Sequence, residues 1–510
     1  MTGRVTDGAS RPKSPGNSRI EALAREVLTP GQGSRGHSMQ STLHTSRRFI
    51  VPATLSALFL VGCGSQIEKQ SRSDFDRVHD QLSPSVVAEV ATEDATSDDE
   101  LPTLGTLSSY IARAFANSPE LRASFEGWRA ALARPAQARK LPELLLTYGG
   151  FIRSVETRVG PQRHRLGAMQ WFPWPSRLTA GVDAASYAAL SSQQRFEAHA
   201  LDVAAEVARA YWKLWFIQKN KLVQRDQREI LGSFSKQVRA RLEAGGTGLS
   251  DLAQVDLSIS RISDVIAGLD EAERGAAAEL VRVIGAADGT PTPVEPELDP
   301  PPALLPQPSE SELRTAAIEH PRVASMASMS ESADERARAV KGERAPSFGF
   351  GLDWIVTGDA PDPTTPDSGK DAVVGVVALK VPVSGGAYRA AQNEARAESA
   401  MYRARERAAR DRAVADLEQT LANLRDAVRR VRLYESTLVP QAETTYSSTL
   451  DGYQSGRSSL AEVLIAEKNL LELALGLFEA HAAYGMVWAE LERVVGQPVP
   501  TRTSEDDIAP

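Results

Sequence analysis

LEAGGTGLSDLAQVDLSISRISDVIAGLDEAERGAAAELVRVIG (residues 242–285) and YQSGRSSLAEVLIAEKNLLELALGLFEAHAAYGMVWAELERVVG (residues 453–496) are one pattern written twice, 211 positions apart and without a gap. Gly245 falls on Gly456, Leu249 on Leu460 and Asp251 on Glu462. At the far end Ala278-Glu279-Leu280 falls on Ala489-Glu490-Leu491, and Val283-Ile284-Gly285 on Val494-Val495-Gly496. A duplication of this size means an architecture of two like halves.

Outward from the repeat, each half follows one plan. Ser108–Arg139 has helical periodicity interrupted near Ser118-Pro119; Leu144–Thr157 and His164–Phe172 are strand-like. Ala184–Ala244 then reads as a helix of roughly 60 residues, about 90 Å long at 1.5 Å per residue. The Gly-rich break Gly245-Gly246-Thr247-Gly248 separates it from a returning helix, Leu249–Ile284. Asp288–Pro308 carries eight prolines and serves as connector. The plan restarts with Ser311–Lys341, where His320-Pro321 stands like Ser118-Pro119. Strands follow at Phe348–Thr357 and Val373–Val383, then a long helix Tyr388–Gly452, a break at Gly456-Arg457-Ser458-Ser459, and a returning helix Leu460–Val495. The repeats therefore occupy about 103–286 and 309–498, with a connector at 287–308 and a disordered tail at 499–510.

The long helices carry a seam. Val414, Leu417, Leu421, Leu424, Val428 and Val431 are spaced 3, 4, 3, 4, 3, the signature of lengthwise packing on other helices. The strands have a different pattern. Phe348, Phe350, Leu352 and Trp354 share one face, and Ser347, Gly349, Gly351 and Asp353 the other. Leu146, Tyr148, Gly150 and Ile152 alternate likewise with Thr147, Gly149, Phe151 and Arg153. Strands of this length, apolar outward and polar inward, suit a membrane barrel. Glu156–Gln162 and Gly358–Ala372 are polar links between them. Four strands cannot close such a barrel, and an open edge in lipid leaves unpaired backbone groups. The chain is therefore expected to oligomerise, two or three copies giving eight or twelve strands.

The fold class expected is mainly α with a membrane β-barrel. The composition agrees: aromatic residues are 6% of the chain, and Ala, Glu, Arg and Leu dominate the helical segments. The net charge of −8 leaves no basic face of the size nucleic acid needs. Seven scattered histidines, one cysteine and the absence of HExxH or a phosphate loop argue against an enzyme.

The single cysteine has a context. Arg47-Arg48 precedes the apolar stretch Phe49–Leu60, which Leu60-Val61-Gly62-Cys63 closes. This is the layout of a secretory signal, and Leu-Val-Gly-Cys resembles a bacterial lipobox. That resemblance implies cleavage before Cys63 and a covalent lipid on its thiol, with Gly64 implying sorting to the outer membrane. Met39 is expected to start the signal peptide (39–62), leaving 1–38 as an extension outside the mature chain. Residues 63–102, with the acidic run Glu93–Glu100, are expected to be a flexible tether.

The order of elements, the duplication and the motifs together resemble the TolC-like outer membrane factors of tripartite efflux systems, in their lipoprotein branch. The motifs are Asn117-Ser118-Pro119-Glu120-Leu121 and Glu319-His320-Pro321-Arg322-Val323 at the start of each half. At the strand-to-helix junctions stand Phe172-Pro173-Trp174-Pro175 and Val381-Pro382-Val383-Ser384-Gly385-Gly386. At the breaks stand Arg241-Leu242-Glu243-Ala244-Gly245 and Tyr453-Gln454-Ser455-Gly456. The resemblance implies a homotrimer with a twelve-stranded barrel in the outer membrane of a Gram-negative bacterium and a helical periplasmic tunnel. It also implies a periplasmic adaptor and an inner-membrane pump as partners, passive conduction of a drug or heavy-metal cation, and no cofactor beyond the lipid.

By the same resemblance the breaks form the periplasmic tip. Gly245, Gly246, Thr247, Gly248, Leu249, Gly456, Arg457, Ser458, Ser459 and Leu460 are expected to dock the adaptor. Glycines permit sharp reversals there, and Thr247, Ser458 and Ser459 are able to cap the following helices. Asp251 and Glu462, with Asp256 and Glu467 as lesser candidates, are expected to ring a cation-attracting aperture. Helix-dipole stabilisation is the plainer account of the same acids. Relatives often carry a further aspartate where this chain has Ile465. Pro173, Pro175, Pro382, Gly385 and Gly386 are expected to turn the chain from barrel to helix. Phe172–Arg177 resembles the junction of heavy-metal efflux proteins, except that Ser176-Arg177 replaces their Gly-Lys. Met326 and Met329 near His320 are soft-ligand types, although such a pair more commonly packs a core. An adaptor lipoprotein, a structural coiled-coil lipoprotein and an exit duct for type I protein secretion are the alternative functions.

Overall fold

The computed structural model describes residues 66–81, 106–246, 248–285, 298–301, 304, 309–362 and 364–499. Cys63, the signal, residues 1–38, the acidic run, most of the connector and residues 500–510 lie outside the described residues; Val499, expected to open the tail, is buried with Leu491 and Val495. Helix α1 (Gln66–Gln81) leads into α2 (Leu107–Asn117), α3 (Pro119–Leu132) and α4 (Arg134–Ala138). Strands β1 (Leu145–Thr157) and β2 (Gly160–Phe172) precede the long helix α5 (Pro175–Glu243) and its return α6 (Leu249–Val283). The second half runs α7 (Glu310–Ile318), α8 (Pro321–Gly342), β3 (Ser347–Thr357), β4 (Ala372–Lys380), α9 (Gly385–Leu433), α10 (Val439–Gln454) and α11 (Leu460–Val495).

Over residues 66–81, helix α1 replaces the flexible tether expected at 63–102. Its Phe75 stacks on Phe125 with ring centroids 4.7 Å apart, and Val78 joins a core with Trp128 and Phe196. Ser71 accepts a hydrogen bond from the Trp128 indole and donates to Gln193. Apolar residues on one face of a polar segment were enough to dock it.

Helix α5 starts at Pro175, ahead of the expected Ala184, because proline at the first helical position already has the required φ. The hairpin β1–β2 is tighter than expected, with Arg158 and Val159 alone as its turn and Gly160 at φ +131°. Strand β4 stops at Lys380, since Pro382 donates no ladder hydrogen bond. The continuous second long helix expected over Tyr388–Gly452 is broken by a π-helical turn, Tyr434–Leu438. Pro440 lies just beyond it and removes an i→i−4 hydrogen bond. The turn brings the Tyr434 ring against Gly476 of α11, where a Cβ would lie 2.3 Å from a ring carbon.

The seam is real. Leu417, Leu421, Leu424 and Val431 are buried against Tyr484, Trp488, Leu491 and Val494 of α11 and Leu313 of α7. The matching core of the first half gathers Val207, Tyr211, Leu214 and Trp215 of α5 around Leu280 and Ile284. Gly485 lets the returning helix α11 approach the long helix α5; a Cβ there would stand 2.7 Å from the Trp212 ring nitrogen.

Each half closes on itself in one way. Gly285 and Gly496 end the returning helices in the left-handed region, at φ +73° and +82°. A Cβ on Gly285 would lie 2.5 Å from the Asn117 carbonyl oxygen, and one on Gly496 3.0 Å from His320 Cδ2. Both glycines abut the Ser-Pro or His-Pro kink that opens their own half. There Ser118 accepts from the Leu121 amide and His320 from the Arg322 amide.

The strands form one antiparallel sheet in the order β1-β2-β3-β4, so the two hairpins join through β2–β3. Both β1 and β4 lack a further strand among the described residues.

Candidate functional site

The sheet has two unlike faces. Leu146, Tyr148, Phe350, Leu352, Trp354, Val373 and Val377 are all exposed on one of them. Large rings stand toward both of its ends: Phe172, Trp174 and Phe348 near the helices, and Trp354 near the β3–β4 loop, with Tyr148 in the middle of the β1–β2 hairpin. Trp354 donates its indole N–H to Asp371 at 2.8 Å. On the other face Trp171 pairs with Gly349, Met169 with Gly351, and Gly167 with Asp353. The Trp171 ring lies over Gly349 at about the limit of contact, 3.1 Å from the Cβ position. Asp353 leans over Gly167 toward Thr147 and ion-pairs with Arg165. Beyond the strands the loop folds back on the first hairpin: Gly358 N–H donates to Pro161 O and Gly369 N–H to Val159 O.

The helical tips sit at the opposite end of the chain's long helices. Both use one cap. Gly245 and Gly456 adopt φ +75° and +76°. The next amide reaches back five residues, Gly246 to Arg241 at 2.8 Å and Arg457 to Gly452 at 2.7 Å. The following N-caps differ. Ser459 forms a capping box with Glu462, whereas the N-cap of α6 is Gly248, which has no side-chain oxygen to offer. Ser458, expected to cap, instead lies against Gly452; Thr247 is outside the described residues.

The candidate acids separate by environment. Glu462 is exposed, and its carboxylate accepts from the Ser459 amide at 2.7 Å, so local capping already explains it. Asp251 occupies the same position in α6 and is half-buried. Asp256 accepts from Ser235 of α5 at 2.9 Å. Glu467 corrects the expectation of an aperture-facing carboxylate. It is 8% exposed, accepts from Gln227 of α5, and burial raises its carboxyl to about 7. Its helix face is turned into the packing between the halves.

Leu249 and Leu460 part in the same way. Leu249 is 71% exposed, but Leu460 is 4% exposed and packs with Val238 and Val255. Leu460 therefore offers no docking surface, contrary to expectation. Arg241 lies over the Tyr453 ring at 4.9 Å, and Phe234 meets the same ring at 5.7 Å, joining the two tips. The sequence marked the breaks but not this bridge, because its partners lie 212 positions apart.

At the junctions Pro173 is buried and Pro175 begins α5; Pro382 is half-buried. Gly385 and Gly386 sit at the start of α9 in open space. His320 is not available beside Met326 as a metal ligand, since both its ring nitrogens are engaged. Nε2–H donates to Arg493 O at 3.0 Å and Nδ1 accepts from the Arg322 amide at 2.9 Å. Burial first, and then the nearby Arg322, lower its pKa to about 4. The unfolded chain thus binds the proton more tightly. Stability is full above about pH 6.5 and falls by roughly 3 kcal/mol as pH drops toward 4. Thermal unfolding at pH 7 and pH 4.5 is expected to show this loss in the native chain and much less of it in His320→Asn. Equal losses in both would remove the assignment.

No curated protein matches the chain. Solved channels share its fold at low identity. The outer membrane protein VceC from Vibrio cholerae is 18% identical with a TM-score of 0.61, covering 77% of this chain and 96% of that one. The CmeC outer membrane channel of Campylobacter jejuni is 14% identical with a TM-score of 0.61, covering 82% and 94%. CusC, whose structure bears on folding and transmembrane channel formation, is 15% identical with a TM-score of 0.62, covering 79% and 95%. The sequence profile of the outer membrane efflux protein family matches residues 110–286 and 313–497, both repeats nearly entire. The chain belongs to the outer membrane efflux protein family, whose members are transport ducts and not enzymes.

Proposed function

We propose that three copies of this chain close a twelve-stranded barrel continuous with a helical tunnel, and that the assembly is the passive exit duct of a tripartite efflux pump. The observation that carries this is the sheet. Its apolar face with rings at both ends suits lipid, and its two open edges require further strands. The glycine-rich face then lines the bore. The tips, with Leu249 and the turn residues around Gly245 and Gly456, meet a periplasmic adaptor tied to an inner-membrane pump. Asp251 and Glu462 set the electrostatics of the aperture between them.

The same reading gives Cys63 its place. Two residues, Gly64 and Ser65, separate it from Gln66, a reach of about 10 Å at most. In the first turn of α1, Glu68 ion-pairs with Arg139, six residues before β1. A lipid on Cys63 would thus enter the membrane close to the foot of the barrel, adding about 0.8 kcal/mol per buried methylene. Labelled palmitate is expected in the native chain and absent from Cys63→Ala.

Purified protein is expected to migrate as a heat-sensitive trimer and to form ion-conducting pores in planar bilayers. Asp251→Ala/Glu462→Ala is expected to weaken divalent-cation block. A folded monomer without pores would end the duct reading; pores with unchanged block would end only the role of the acids.

A further inference from the structure

A cleft of about 500 Å³ lies between the end of α5 and the α10–α11 hairpin, just above the tips. Its volume is within the range of small-molecule sites. Its apolar walls are Phe234, Leu450 and Leu464, with the rings of Tyr446 and Tyr453. Its polar groups are unbalanced. Asp226, Glu229 and Glu467 supply three carboxyls, while Arg241 is the single cationic side chain among the lining residues and is already placed over Tyr453. Asp226 and Glu229 are exposed at the mouth; Glu467 is buried at the wall.

We infer that this cleft is a binding site for a flat aromatic monocation. Apolar surface and ring faces take up the aromatic body, and ring faces attract the charge. Beside Tyr446, Glu467 supplies a buried acid whose carboxyl burial holds at about 7; a bound cation would keep it ionised in a setting where water screens it little. A small hydrated metal ion would leave the apolar walls unused, and a neutral ring system would leave three acids unused. The site does not depend on the trimeric duct, because every wall comes from one chain. Its walls do come from both halves: α5 from the first, α10 and α11 from the second. An occupant therefore touches both tip hairpins and resists their separation.

Ethidium tests the site, since its fluorescence rises on leaving water. The native full chain in detergent is expected to bind it saturably, one per chain. Glu467→Gln and Tyr446→Ala are each expected to weaken binding about tenfold or more, and Glu472→Gln, an exposed acid farther along α11, to leave it unchanged. Phenanthridine, the uncharged parent ring system, is expected to bind at least tenfold more weakly than ethidium. Asp226→Asn/Glu229→Gln changes exposed side chains only and is expected to weaken ethidium about threefold, which keeps the test valid if the buried substitutions prevent folding. Non-saturable binding, equal affinity for the two ligands, or ethidium affinity indifferent to these acids would each overturn the assignment.

Discussion

Gly285→Ala is expected to destabilise the chain by about 3–5 kcal/mol, and Gly245→Ala by only about 1–2 kcal/mol. The two glycines share a left-handed conformation, φ +73° and +75°. An L-residue costs the same local strain at either place. What differs is the surroundings. A Cβ on Gly245 meets nothing within 4 Å, whereas one on Gly285 meets the backbone of Asn117 at 2.5 Å. Backbone cannot rotate away, so the kink between α2 and α3 would have to move, and with it the Tyr110 ring buried against Tyr211. Since folded domains are stable by about 5–15 kcal/mol, the larger loss threatens folding itself. Thermal unfolding followed by helical circular dichroism is the measurement. Equal midpoints for the two variants would show that the contact with Asn117 does not matter. Gly496→Ala and Gly456→Ala repeat the comparison in the second half, with a smaller difference, because the nearest atom to a Cβ on Gly496 is 3.0 Å away on the His320 side chain.

Gly349→Leu is expected to lower single-channel conductance roughly twofold without preventing barrel assembly. Trp171 lies flat because its cross-strand partner has no side chain. A leucine there displaces the indole from the sheet, and in the proposed trimer three indoles would swing into the bore together. Gly351 seats Met169 in the same manner. Gly375 is the control: a Cβ there meets nothing within 4 Å, and it pairs with Leu352 on the apolar face, so Gly375→Ala should leave the current unchanged. Adding Trp171→Ala to Gly349→Leu is expected to restore most of the current. An unaltered current in Gly349→Leu, or no recovery in the double variant, would show that the ring does not constrict the pore.

Local patterns carried much of the fold. The 3, 4 spacing of Leu417, Leu421 and Leu424 and the alternation from Phe348 to Trp354 each announce a face before any tertiary contact is known. Proline marked the kinks at Pro119 and Pro321 for the same reason: its constraint is covalent. What stayed hidden depends on distance along the chain. Polar character concealed that Gln66–Gln81 docks through Phe75 and Val78, which need Phe125 and Trp128 to be meaningful. Asp256 and Glu467 are equivalent in the repeat, yet Asp256 stays exposed while accepting from Ser235, and Glu467 is buried beside Gln227. Leu249 and Leu460 diverge likewise. Duplication predicts equal backbone, as the shared caps show, but side-chain roles follow from which neighbour each copy meets.

The left-handed glycines also act as a ruler. From Gly245 to Gly285 and from Gly456 to Gly496 the separation is the same, and the helices between them have 35 and 36 residues. At 1.5 Å per residue both tips stand about 53 Å from their closing kinks. One added helical turn in a single return would lift its tip by about 5 Å relative to its twin and pull Arg241 off Tyr453. Changes in the length of the helical hairpins must therefore arise in pairs, one in each half, and across both arms of each hairpin. A lineage that lengthened this duct would carry matched insertions at four sites, a pattern readable in any set of related genes.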